Sequence, residues 1–146
     1  MKELRGTADS AVGAPVERCV ALLADVEQYP GWHPDVVRHA EVLERDERGR
    51  ATKARAKLRA AIGGLGRDFD LTLAVSVPQP DTVKLSRLPH GPDDREELEM
   101  RWEVHDGRIQ LRIEARLDVP RLLPAGGIGD SLAEGFVQAA VRALQS

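Results

Sequence analysis

"ELEMRWEVHDGRIQLRIEARLDV", residues 97–119, reads as two strands and the turn that joins them. Leu98, Met100, Trp102 and Val104 alternate with Glu97, Glu99, Arg101 and Glu103. Beyond Asp106-Gly107, Ile109, Leu111, Ile113, Ala115, Leu117 and Val119 alternate with Arg108, Gln110, Arg112, Glu114, Arg116 and Asp118. Successive strand side chains point to opposite faces, so each segment has one apolar and one charged face. Asp-Gly is favoured where both residues of a two-residue hairpin loop need positive φ. The stretch therefore predicts an antiparallel sheet covered on one face and wet on the other.

The same period extends upstream. "RDFDLTLAVSV" (67–77) sets Phe69, Leu71, Leu73, Val75 and Val77 on one face, and "TVKLSRL" (82–88) places Val83 and Leu85 together. "VVRHAEVLERD" (36–46) and "RATKARAKLRA" (50–60) flank Glu47-Arg48-Gly49, a hairpin signal. Leu4, Ala8 and Val12 alternate weakly and suggest an N-terminal strand over Leu4–Val12. Between that strand and the sheet, Pro15 suits a first helical position, and Val16, Cys19, Val20 and Leu23 form an apolar stripe. Asp25 is placed to cap a short helical turn over Val26–Tyr29, and Pro30 is expected to push Tyr29 out of the α region and end it. Downstream, "PRLLPAGGIG" (120–129) breaks the sheet, and Ser131-Leu132-Ala133-Glu134 matches a capping box. The chain then predicts a terminal helix with a stripe of Leu132, Phe136, Ala139, Ala140, Ala143 and Leu144. The order is strand, two short helices, six strands and a helix, an α+β pattern in a single domain over residues 1–146.

Composition narrows the function. A chain of 146 residues with net charge −3 has no basic footprint, so no nucleic-acid partner is expected. Cys19 is the single cysteine, which excludes an internal disulfide and fits a reducing, cytoplasmic location. The first residues carry no apolar run, and no stretch reaches the roughly 20 apolar residues of a membrane span, so no stable membrane insertion is expected. His33, His39, His90 and His105 lack metal-ligand spacing, and Cys19 lies on an apolar stripe, so neither a metal nor a cofactor is expected. "GGLG" (63–66) and "AGGIG" (125–129) lack the lysine and spacing of phosphate loops and read as bends.

"ADVEQYPGWHP" (24–34) gathers Tyr29 and Trp32 between prolines in a chain with two Trp, one Tyr and two Phe. Residues 10–46 resemble the start of the START-like superfamily, also called SRPBCC or helix-grip. The resemblance rests on Ala14-Pro15-Val16-Glu17, Leu23-Ala24-Asp25-Val26, Tyr29-Pro30, Trp32, Pro34 and Val36-Val37. It points toward the polyketide cyclase/dehydrase-like and coenzyme Q-binding branches. It implies a curved antiparallel sheet of about seven strands wrapped around a long C-terminal helix, with two short helices after the first strand. It also implies a cavity between sheet and helix for an apolar or aromatic small molecule. Cys19 stands where many relatives carry a tryptophan or another aromatic.

Read inward, the strand faces supply Ala54, Ala56, Leu58, Leu71, Leu73, Val75, Met100, Trp102, Leu111 and Ile113, with Leu132 and Phe136 from the helix. No carboxylate pair or Ser/His/Asp set appears among them, so no catalytic residue is assigned. Trp32 is either a plug under the proline corner or a ligand contact at the cavity mouth, and the two roles are compatible. Arg67 is in phase with Phe69 and Leu71, so it is either a solvated strand-end arginine or an anchor for ligand oxygens. The expected function is binding a hydrophobic small molecule (lipid, quinone or polyketide-like) as a carrier. The alternative is an aromatase/cyclase-like enzyme acting in the same cavity. A second copy of the chain, forming a homodimer, is a further candidate partner.

Overall fold

The computed structural model describes residues 2–62, 65–118 and 127–145. Strand β1 (Lys2–Ala11) leads into helix α1 (Val16–Ala24), a single 3-10 turn (Val26–Gln28) and the short helix α2 (Tyr29–Trp32). Six strands follow: β2 (Val37–Arg45), β3 (Ala51–Ile62), β4 (Leu65–Gln79), β5 (Thr82–Arg87), β6 (Glu97–His105) and β7 (Arg108–Leu117). Helix α3 (Ile128–Gln145) closes the chain. The seven strands form one antiparallel sheet in the order β1-β7-β6-β5-β4-β3-β2. β2 to β7 are a meander, and β1 returns to pair with β7, so β1 and β2 are the edges. The curved sheet holds α3 against its concave face, the helix-grip arrangement.

The stretch that decides the fold pairs as its alternation predicts. Met100 faces Ile113, Trp102 faces Leu111 and His105 faces Arg108. The loop holds Asp106 at φ 22° and Gly107 at φ 78°, the positive values a two-residue hairpin of this hand requires. The Asp46–Arg50 turn is fixed differently: one Asp46 carboxylate oxygen accepts the N–H groups of Arg48 and Arg50, each at 2.9 Å.

Two local readings need correction. Tyr29 is helical (φ −53°, ψ −43°) although Pro30 follows it. Pro30 opens α2 instead of ending a turn, because a proline in a first helical turn has no N–H to waste. The Tyr29 carbonyl then accepts the His33 N–H at 2.8 Å, and its hydroxyl donates to the Leu23 carbonyl at 2.6 Å. Helix α3 likewise begins at Ile128, three residues before Ser131, so the capping box is not its start. The start is set by a long-range contact. A Cβ on Gly6 would lie 1.9 Å from the Gly129 carbonyl oxygen, so only two glycines let α3 cross β1 backbone to backbone. Asp130 secures the crossing by accepting the Thr7 N–H at 3.0 Å. Gly63, Gly64 and residues 119–126, which include parts of the two expected glycine bends and Val119, lie outside the described residues.

The buried apolar side chains form three clusters rather than one. The largest joins α1, α2 and α3 to the middle of the sheet through residues such as Leu23, Tyr29, Trp102, Leu111 and Phe136. Leu4, Ala60, Ala115 and Leu117 make a second, and Ala56, Leu71 and Leu73 a third. Phe69 and Leu98 are packed against both of the smaller clusters.

Candidate functional site

A cavity lies among these clusters. Its wall comes from Leu4 of β1, Leu58 and Ala60 of β3, Phe69 and Leu71 of β4, and Leu98 and Met100 of β6. Ile113, Ala115 and Leu117 of β7, Leu132 and Phe136 of α3, and Val36 complete it. Each wall residue is apolar. The cavity volume is about 60 Å³. Val36 and Leu132 also border a cleft of about 460 Å³, open to solvent, whose other lining includes His33, Ser131 and Gly135. The chamber and the cleft therefore share a wall.

The aromatic corner stands beside the cleft. Trp32 packs on Tyr29 with centroids 4.6 Å apart, and stacks on His33 at 6.2 Å. The His33 ring meets Phe136 edge-on at 4.6 Å, and Phe136 meets Trp102 edge-on at 6.5 Å. His33 is only 7% exposed, and its Nε2 is buried with no hydrogen-bond partner. Burial pushes its imidazole below the ordinary 6.5, a shift that Asp35 opposes and Arg142 reinforces. Burial also pushes the Tyr29 phenol far up and raises the Cys19 thiol, so both stay protonated at neutral pH.

Of the residues proposed from sequence, Leu71, Met100, Ile113, Leu132 and Phe136 meet around the chamber. Ala54, Trp102 and Leu111 lie in the main core instead, and Ala56 and Leu73 form the third cluster with Leu71. Trp32 lines neither space and braces the ring stack. Arg67 is half-buried at the strand end: its guanidinium donates to the Asp118 carbonyl and lies 4.8 Å from the centroid of Phe69, a chamber residue. Among the described residues, no group of three His, Cys, Asp or Glu side chains is placed to hold a metal ion.

These features fit a known family. The profile described as "Polyketide cyclase / dehydrase and lipid transport" matches residues 12–145. The chain belongs to this family. No curated protein matches the sequence. A START superfamily protein from Mycobacterium smegmatis has a similar structure, with TM-score 0.65 at 20% identity over 98% of this chain and 97% of that one. The STAR-related lipid transfer protein of Xanthomonas axonopodis gives TM-score 0.58 at 15% identity, over 96% and 85% of the two chains. The Zhui aromatase/cyclase of Streptomyces sp. R1128 gives 0.53 at 18%, over 99% and 87%. At such identities the likeness establishes the fold, and the family makes that fold a ligand-binding one. Among the described residues, no helix is long and apolar enough to cross a membrane.

Sequence reading missed two polar residues. His33 was weighed only as a metal ligand, although it sits inside the Tyr29–Pro34 motif. Arg87 shares the inward phase of Val83 and Leu85, and its side chain is only 4% exposed. Its two terminal nitrogens reach the two Asp94 carboxylate oxygens at 3.1 and 2.6 Å, and one also donates to the Glu96 carbonyl at 2.8 Å.

Proposed function

We propose that the protein binds an apolar small molecule at the junction of chamber and cleft, as a carrier that releases it chemically unchanged. The observation that carries this reading is the interruption of the core. Among the described residues, three apolar clusters surround a space that no side chain fills, and every wall residue is apolar. Ligand pockets generally hold about 300–1,000 Å³. The chamber alone is too small, so the ligand lies in the cleft and drives an apolar end past Val36 and Leu132. Among the described residues, the chamber wall that takes the apolar end offers no acid or base. Arg67, the polar residue beside Phe69, is engaged by the Asp118 carbonyl.

Titration with an environment-sensitive apolar dye, followed by its own emission and by Trp fluorescence, tests the reading. Saturable binding at one site is expected. Leu132→Trp, which fills the shared wall, should weaken it about tenfold or more while the protein stays folded. Absence of saturable binding, or equal binding by the filled variant, would refute the proposal.

A further inference from the structure

The aromatic corner holds a polar atom that the packing leaves unused. His33 Nε2 is buried, accepts and donates nothing within the protein, and faces Gly135 of α3. A Cβ on Gly135 would lie 3.9 Å from that nitrogen, in ordinary van der Waals contact, so α3 passes close to the ring edge at this glycine. Trp32 stacks on the ring, Phe136 abuts it edge-on, and His33 itself lines the cleft. A buried polar atom without a partner forfeits the hydrogen bond it would make with water, so one held beside a cleft is poised to reward a ligand that supplies the missing bond.

We infer that His33 Nε2 anchors the hydroxyl group of an uncharged amphiphile whose apolar body runs past Leu132 into the chamber. This rests on the binding site proposed above and names the chemical class it takes. A hydroxyl both donates and accepts, so it completes the imidazole in either tautomer. A carbonyl or ether oxygen can only accept, and serves one tautomer. A carboxylate likewise only accepts and serves one tautomer, and it brings an ionic charge to a buried nitrogen surrounded by aromatic rings, which is costly. Ser131, on the α3 turn facing the same cleft, supplies a second hydroxyl near the expected head group.

Decanol, decyl methyl ether and decanoate share a chain and differ at the head. Calorimetric titration of each into wild type at neutral pH should rank decanol about tenfold tighter than the ether and tighter than decanoate. His33→Phe keeps the ring between Trp32 and Phe136 but removes the nitrogen, and should bring the alcohol and ether to equal affinity. A persistent preference in that variant, or tightest binding of decanoate, overturns the inference. If the variant does not fold, the imidazole nitrogens of ¹⁵N-labelled wild type decide. The Nε2 resonance should move further with decanol than with the ether, and a resonance that decanol leaves unmoved overturns the assignment. Equal binding of all three probes would refute the His33 anchor and leave the binding site standing. Failure of all three to bind would refute both.

Discussion

At the aromatic corner, ring nitrogens of Trp32 and His33 are buried without a hydrogen-bond partner. Around Arg87 most polar atoms are paired, although its Nε is buried without a partner. The Asp94 carboxylate accepts from both terminal nitrogens of Arg87, from the His90 N–H at 2.8 Å and from the Glu96 N–H at 3.1 Å. Glu96 in turn accepts the Asp118 N–H at 2.9 Å. The space beside this network is about 580 Å³, larger than the cleft at His33, and is lined by charged groups such as Asp94, Arg95 and Arg116. Size and charge would favour the Arg87 region as a binding site. Hydrogen bonding favours the other, because the Asp94 carboxylate and the terminal nitrogens of Arg87 already satisfy one another and pin the segment between β5 and β6. The ring nitrogens of Trp32 and His33 have no such partners, and His33 packs on Phe136 of the apolar chamber.

Phe136 tests the comparison most severely, because its ring belongs to both the corner and the chamber. It is 3% exposed and touches the rings of Tyr29, His33 and Trp102. Phe136→Ala should cost about 3–5 kcal/mol in urea unfolding. A much smaller loss would mean that the ring borders free space more than it packs, and would enlarge the chamber at the expense of the core.

Much of this division was legible in the sequence, and the reasons are specific. The alternation from Phe69 to Leu117 placed the inward faces correctly, because a period of two is a local property of the strand. The clustering of Tyr29 and Trp32 pointed to the corner for the same reason. His33 was not legible as a cleft residue, because its neighbours there, Phe136 and Gly135, are both about a hundred residues away. The start of α3 was hidden in the same manner: the local capping pattern at Ser131 lost to the crossing of Gly129 over Gly6. Arg87 was readable in phase, but its partner Asp94 sits in a loop without periodicity.

A smaller effect separates structure from binding inside the corner itself. The Tyr29 hydroxyl already donates to Leu23, so its role is to hold α2 against α1. Tyr29→Phe should lose about 1 kcal/mol of stability, the net worth of one buried hydrogen bond, and leave the alcohol-over-ether preference intact. Loss of that preference with stability unchanged would move the anchoring role from His33 to Tyr29.

The mildest change probes the charged region through pH. The Arg87 guanidinium, together with the His90 and Glu96 N–H groups, holds the Asp94 carboxyl well below its ordinary 3.8. A carboxylate whose folded value is depressed contributes stability that is fully present above the unfolded value and is lost as pH falls toward the folded one. Asp94→Asn keeps an acceptor oxygen but removes the charge, so it should destabilise the protein at neutral pH and shift its acid profile. The gap between wild type and variant should be constant above about pH 5, begin to narrow near pH 4 and continue to narrow toward pH 2. Dye binding at neutral pH should not change, because Arg87, Asp94 and Glu96 line neither the chamber nor the cleft. A stability gap independent of pH would show that Arg87 and Asp94 do not depend on their charges. A loss of dye binding in a folded Asp94→Asn protein would mean that the charged region, and not only the aromatic corner, takes part in recognition.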